Sequence, residues 1–131
     1  EHPVIKQIQS ENSNEVLIIN LSKFDKWTDI IDQICSCESI ASSSLHGLIT
    51  SDTYGVPNCW IELSGKISGG HFKFYDYASS VNRTFNGPIT MHTNINQIIE
   101  ECKQWTQPTI NHGDILKSCP FNIKAEQVIS L

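Results

Sequence analysis

The chain lacks the marks of several large function classes. Its 131 residues carry nine Lys and Arg against fourteen Asp and Glu, a formal charge of −5, and the cations form no cluster or stripe. A nucleic-acid surface needs such a stripe, so no nucleic-acid partner is expected, and any anionic ligand must be held by local dipoles. No apolar run approaches the roughly 20 residues of a membrane-spanning helix, so no transmembrane segment is expected. The start Glu1-His2-Pro3 is neither a signal peptide nor an initiating methionine, and the single Met is Met91, so the chain reads as a cut piece of a longer protein. The five cysteines are odd in number and show no C-x-x-C spacing, so neither a zinc centre nor a disulfide framework is expected, and no metal ligands are assigned. Cys35 and Cys102 fall on apolar helix faces, where a thiol acts as a small hydrophobe, and Cys35-x-Cys37 has the same structural reading. This cysteine use points to the cytosol, with a peripheral place at the inner membrane face left open. Asn82-Arg83-Thr84 fits the glycosylation pattern, but nothing else signals secretion, and the match reads as coincidence.

What is present fits one compact domain over 1–131: 39% hydrophobic and 18% charged residues are enough for a core of its own. Val16-Leu17-Ile18-Ile19-Asn20-Leu21 is a short apolar, β-branched run that predicts a buried strand. Trp27, Ile30, Ile31 and Ile34 recur at helical spacing, with Asp29 and Asp32 outward, so Lys26 to Cys37 is expected to pack one face on a sheet. A second strand follows at Ser39–Ser43. A helix opens at Leu45 and ends near Gly55, because Gly suits a left-handed cap and Pro57 cannot continue the turn. Asn58–Leu63 is the third strand. Strand and helix alternating at this spacing imply right-handed crossovers, hence an α/β domain with a parallel sheet flanked by helices. Residues 10–63 hold the sheet core; 64–131 supply a loop and covering helices. In that second part Phe72, Tyr75 and Ser79 share a helical face with Phe74 and Tyr77 flanking it, most of them core. Ile95 to Trp105 makes an apolar stripe, and Asn111-His112-Gly113-Asp114 opens a short helix reaching Ser118.

In a sheet of this kind ligands sit at the carboxyl ends of the strands. Ser42-Ser43-Ser44-Leu45-His46-Gly47 lies at one, where a strand feeds a helix through a tight turn. Unpaired backbone N–H groups and the positive end of the helix dipole converge there, which favours anions. The three serines add hydroxyl donors, Gly47 lets a ligand approach the backbone, and the His46 imidazole can take or give a proton near neutral pH. The same residues also fit a plain structural turn with a hydrogen-bonded histidine. Beyond the loop Ser64-Gly65-Lys66-Ile67-Ser68-Gly69-Gly70, the polar tips of His71, Lys73 and Tyr75 follow the glycines, and a cation there could meet a ligand carboxylate.

Ser42-Ser43-Ser44-Leu45-His46-Gly47-Leu48-Ile49, Tyr54-Gly55-Val56-Pro57-Asn58, and Phe72-Lys73-Phe74-Tyr75-Asp76-Tyr77 with Ser79-Ser80-Val81 together resemble, in order and spacing, the C-terminal half of the polysaccharide pyruvyl transferase family. The resemblance runs from Trp27 to Arg83 and fades beyond, with Cys119-Pro120-Phe121 also similar. It implies a Rossmann-like domain, the C-terminal half of a GT-B-type two-domain enzyme whose N-terminal domain is missing here. It also implies transfer of pyruvate from phosphoenolpyruvate to two hydroxyls of a sugar, as a ketal, with release of phosphate. The donor is then phosphoenolpyruvate, the acceptor a sugar or lipid-linked oligosaccharide of an exo- or capsular polysaccharide, and no cofactor is needed. His46 takes the acid/base or phosphate-binding role. Ser42, Ser43, Ser44, Leu45 and Gly47 hold the phosphate, with His71, Lys73 and Tyr75 as further substrate contacts, and the chain by itself is expected to be inactive. Many relatives carry Arg where this chain has Ser44, so a bidentate donor is missing from the turn. Lys66, Lys73, Arg83 or an Arg of the absent half could compensate. Two other readings stay open: the C-terminal domain of a nucleotide-sugar glycosyltransferase, and a noncatalytic ligand-binding or interaction domain.

Overall fold

A computed structural model of the chain describes residues 3–64, 70–90, 94–118 and 120–121. Its centre is a three-stranded parallel sheet in the order β1 (Ile40–Ser42), β2 (Asn58–Glu62), β3 (Ile89–Thr90). Ile40 pairs with Asn58 and Ser42 with Trp60, while Ile61 pairs with Ile89 on the other edge of β2. Side chains alternate across β2. Trp60 faces Leu48 of helix α3 (Leu45–Thr53) and Phe74 of helix α4 (Phe72–Ser80), whereas Cys59 faces helix α5 (Ile95–Lys103). The expected parallel sheet flanked by helices is therefore present.

Helix α3 forms from residues of modest helix propensity. Its hydroxyls find acceptors one turn back: Thr50 Oγ1 donates to the His46 carbonyl at 2.8 Å, Ser51 Oγ to Gly47 at 2.7 Å and Thr53 Oγ1 to Ile49 at 2.8 Å. Gly55, at φ +72°, supplies the left-handed residue just beyond its end, as the sequence requires. Helix α5 opens with a reciprocal cap, Asn94 Oδ1 accepting from Gln97 N–H and Gln97 Oε1 from Asn94 N–H. Helices α1 (Pro3–Glu11), α2 (Trp27–Cys35) and α6 (His112–Ser118) complete the described elements; the sequence reading had no counterpart for α1 or β3.

Two buried clusters hold these parts together. Ile34, Ile40 and Val56 form one, with Ile19 and Ile30 against it; Leu48, Trp60 and Phe74 form the other, with Leu45 and Phe85 against it. Trp60 and Phe74 stack with ring centroids 4.2 Å apart. Burying each such side chain stabilises the fold by about 2 kcal/mol.

Four expectations are corrected. Val16–Leu21 is not a strand: it sends Ile19 into the first cluster but has no ladder partner, and Leu17 is 52% exposed. An apolar run becomes a strand only when its backbone groups pair, and among the described residues β1 pairs with β2 alone. The stripe of α2 packs less fully than its spacing suggests, since Ile34 is buried but Trp27 is 71% exposed, and α2 leans on α3. On α4 Phe74 and Ala78 are buried, whereas Phe72, expected in the core with most of the aromatic set, points outward. Cys35 is exposed, whereas Cys102 is buried as expected.

Candidate functional site

Ser42 ends β1 and turns the chain. Its hydroxyl donates to the Ser44 carbonyl at 2.9 Å and accepts from the Ser44 N–H at 3.1 Å, which uses its only proton inside the turn. Gly47, also buried, lies directly beneath, where an added Cβ would collide with Ser42 Oγ. Both residues build the turn: the Ser42 hydroxyl, expected as a ligand donor, is engaged within it, and the Cα face of Gly47 packs on Ser42. Ser43 is exposed and Ser44 half-buried. Ser44, at the N-cap, makes no side-chain bond to the first turn of α3. The N–H groups of Leu45, His46 and Gly47 precede the first carbonyl their own helix could offer, so they form a set of donors at the positive end of the dipole.

His46 is exposed and shares a face of α3 with Ile49, Thr50 and Thr53. That face closes one side of a groove of about 340 Å³ whose other wall carries Leu21, Phe24, Trp27 and Ile30. Leu45, Leu48 and Asp52 occupy the inward face of the same helix. The imidazole is therefore at the mouth of an apolar groove beside the turn.

His71, Lys73 and Tyr75, all exposed, gather elsewhere. His71 and Tyr75 meet the edge of Trp60 at centroid distances of 5.0 and 5.7 Å, and Lys73 Nζ lies 5.4 Å from the Phe74 ring. They thus surround the cluster on which Leu45 packs, on a different face of α3 from His46. His71 Nε2 is 3.2 Å from the Glu62 carboxylate, so a protonated His71 adds no net positive charge for an anion. Lys66 and Cys119 lie outside the described residues.

The most developed polar site was not read from the sequence. Asp52, 3% exposed near the end of α3, receives both its carboxylate oxygens' bonds from Arg83 Nη1 at 2.7 Å, with Asn58 Nδ2 at 2.7 Å, Tyr77 OH at 2.8 Å and Trp105 Nε1 at 2.8 Å completing the shell. Arg83 also donates to the Asn58 side-chain and backbone oxygens, each at 2.8 Å, and stacks on Phe85. Burial and the neighbouring carboxylate push the Tyr77 phenol well above its ordinary range. Arg83 is committed to this network, so it is no longer a candidate for the cation missing before Leu45. One signal was present: Leu45, Leu48 and Asp52 fall on one helical stripe, and an acid on an apolar stripe requires a buried partner. Among the described residues no group of three or more His, Cys, Asp or Glu is placed to hold a metal ion.

Comparison with known proteins adds one relative. An uncharacterised protein of Acanthamoeba polyphaga mimivirus is 38% identical over 71 residues, which are 53% of this chain and 24% of the viral protein. The chain thus spans about a quarter of that relative's length. No family model matches the chain, and no solved structure matches it. Among the described residues no helix is long and apolar enough to cross a membrane.

Proposed function

We propose that this chain is the donor-binding, Rossmann-like half of a GT-B-type transferase that moves pyruvate from phosphoenolpyruvate to a sugar as a ketal. The observation that carries the reading is the turn between β1 and α3: an uncapped helix N-terminus at the carboxyl end of a parallel strand, with an exposed imidazole in its first turn. Phosphate oxygens accept from the Leu45, His46 and Gly47 N–H groups and from the Ser43 and Ser44 hydroxyls. Each preorganised donor of that kind is worth about 3 kcal/mol to a transition state that develops charge on the departing phosphate. His46 delivers the proton to the methylene carbon of the donor, or holds the leaving phosphate. Ser42 and Gly47 act beneath, fixing the path of the backbone. The resemblance of three separated sequence blocks supports the same assignment, and the sugar acceptor is met largely by residues of another domain.

The test is a titration of the isotope-labelled chain with phosphoenolpyruvate, with inorganic phosphate and with a nucleoside diphosphate sugar. Amide shifts at Ser44, His46 and Gly47 with phosphoenolpyruvate support the reading. Shifts only with the nucleotide sugar transfer the site to a glycosyltransferase, and unchanged spectra at high concentrations of all three remove it. In the full-length enzyme His46→Ala should lower transfer at least about a hundredfold. One observation favours a second reading: the groove beside His46 is walled by exposed Phe24 and Trp27, a lining suited to an apolar partner. A noncatalytic interaction domain would keep its partner affinity when His46 is replaced and lose it when Trp27 is.

A further inference from the structure

A carboxylate and an imidazole meet at the carboxyl end of the central strand. Glu62 is the last residue of β2 and His71 precedes the first turn of α4. His71 Nε2 lies 3.2 Å from Glu62 Oε2, with the carboxylate side chain 17% and the imidazole 43% exposed. Ser42 pairs with Trp60, so β1 and β2 run out at the same rim of the sheet, and the pair stands on the rim that carries the serine turn. Trp60 links the two: its ring meets His71 at a centroid distance of 5.0 Å, and Leu45, the first residue of α3, packs on the cluster of Trp60, Leu48 and Phe74. His46 lies on another face of α3. His71, Phe72 and Tyr75 are spaced to share a face of α4, where the Phe72 and Tyr75 rings are 75% and 43% exposed. Against His71 and Tyr75 the Trp60 indole N–H is buried without a hydrogen-bond acceptor among the described residues.

We propose that Glu62 and His71 form the acceptor side of the transfer site, binding a neutral sugar and taking the proton of its attacking hydroxyl; this rests on the pyruvyl-transfer reading. The carboxylate cancels the charge of a protonated imidazole, so the pair suits a hydroxyl and not a second anion. The exposed rings beside it take the apolar face of a pyranose, an aromatic wall around a few polar groups as small-ligand sites have. Glu62 is a positioning residue: its contact with Nε2 orients the ring and stabilises the imidazolium, which leaves Nδ1, bonded by none of the described residues, to accept the proton. The first sugar oxygen bonds to C2 of phosphoenolpyruvate as its proton passes to Nδ1, while the double-bond electron pair takes a proton from His46 at the methylene carbon. The second hydroxyl then displaces phosphate. Its oxygen bonds to C2, the C2–O bond to phosphate breaks with the electron pair on oxygen, and the hydroxyl proton leaves with the phosphate. His46 has given one proton and His71 has taken one, and solvent resets both.

The test titrates the isotope-labelled chain with the methyl glycosides of galactose, mannose and glucose at millimolar concentrations. At least one sugar should shift the amides of His71, Phe72 and Tyr75 and the Trp60 indole N–H. His71→Ala and Glu62→Gln should each weaken that binding at least about tenfold, the loss of one hydrogen bond to a charged group, and leave the response of the turn to phosphoenolpyruvate as it was. In the full-length enzyme His71→Ala should lower transfer at least about a hundredfold, with the KM for phosphoenolpyruvate unchanged and part of the rate restored by added imidazole; Glu62→Gln should lower it about tenfold. Suppose phosphoenolpyruvate shifts the turn but no sugar shifts the patch, or His71→Ala binds sugar as before or loses less than about threefold in transfer. The acceptor site is then overturned and the donor reading stands. Sugar shifts at the patch with no response to phosphoenolpyruvate uphold the sugar site and overturn the donor reading together with the proton step. Silence from both ligands overturns both.

Discussion

The two ends of α3 contrast sharply. At the Leu45 end the helix starts without a side-chain cap, its first N–H groups are unclaimed by the helix, and His46 stands at the surface. At the other end, Asp52 is enclosed by Arg83, Asn58, Tyr77 and Trp105, and its backbone carbonyl takes a further bond from Gln107 at 3.1 Å. One nine-residue helix therefore carries unsatisfied donors at one terminus and a saturated acceptor at the other. The open end leaves its first N–H groups and the His46 ring at the surface. The closed end has the properties of a clamp, joining α3, β2, α4 and the segment after α5 through one carboxylate. A rigid clamp at one end is what allows a loosely capped turn at the other to keep its geometry.

Changes at the closed end should have the largest effect on stability. Asp52→Asn leaves the Arg83 guanidinium, only 8% exposed, without a counter-charge, and should cost about 3–5 kcal/mol, a large part of the total for a domain of this size. Urea unfolding followed by circular dichroism measures it; a loss below about 1 kcal/mol would mean that Asp52 and Arg83 do not form a buried pair in solution. Next comes the turn itself. Gly47→Ala places a methyl group against Ser42 Oγ and should cost about 1–3 kcal/mol, with much of the loss recovered in the Ser42→Gly/Gly47→Ala double variant. Full additivity of the two changes in the same unfolding assay would show that the residues do not touch.

A smaller, pH-dependent effect belongs to Tyr77. Its folded phenol titrates above the ordinary value near 10, so the contribution to stability is complete below that value and fades as pH rises through the folded one, since the unfolded chain ionises first. Unfolding midpoints at successive pH values from about 8 to 11 should therefore fall more steeply in the wild-type chain than in Tyr77→Phe; parallel curves would separate Tyr77 from the carboxylate. The smallest effect on stability is expected at the open end. His46→Ala should change the unfolding free energy by less than about 0.5 kcal/mol, as for a surface residue, even while it abolishes the response to phosphoenolpyruvate. A large destabilisation by His46→Ala would erase the contrast between the two ends.

Local pattern carried much of this fold. The spacing of Trp27, Ile30, Ile31 and Ile34 announced α2, Gly55 before Val56-Pro57 announced the end of α3, and Asn58–Leu63 announced β2. These are signals within a few residues, where propensity and periodicity act. Val16–Leu21 failed for the opposite reason: its composition suits a strand, but pairing depends on whether another strand lies beside it. The place of Phe72 was missed likewise, because Phe72, Phe74, Tyr75 and Tyr77 offer an aromatic in every direction, and only the position of Trp60 decides that Phe74 is the one enclosed. Among candidate site residues, the placement of His46 and the serines in a turn from strand to helix was legible because strand, turn and helix are contiguous there. The division of His46 from His71, Lys73 and Tyr75 was not legible, since it depends on which face of α3 each neighbouring helix meets.

By itself, then, the sequence determined the alternation of strands and helices, the parallel sense of the sheet and the position of a serine-rich turn before α3, all of them consequences of short-range sterics and hydrophobic spacing. Only the tertiary structure decided that Ser42 and Gly47 serve each other and that Arg83 belongs to Asp52. Those are partnerships between groups brought together by packing. A buried charge or thiol takes its chemistry from whichever neighbour the fold places beside it.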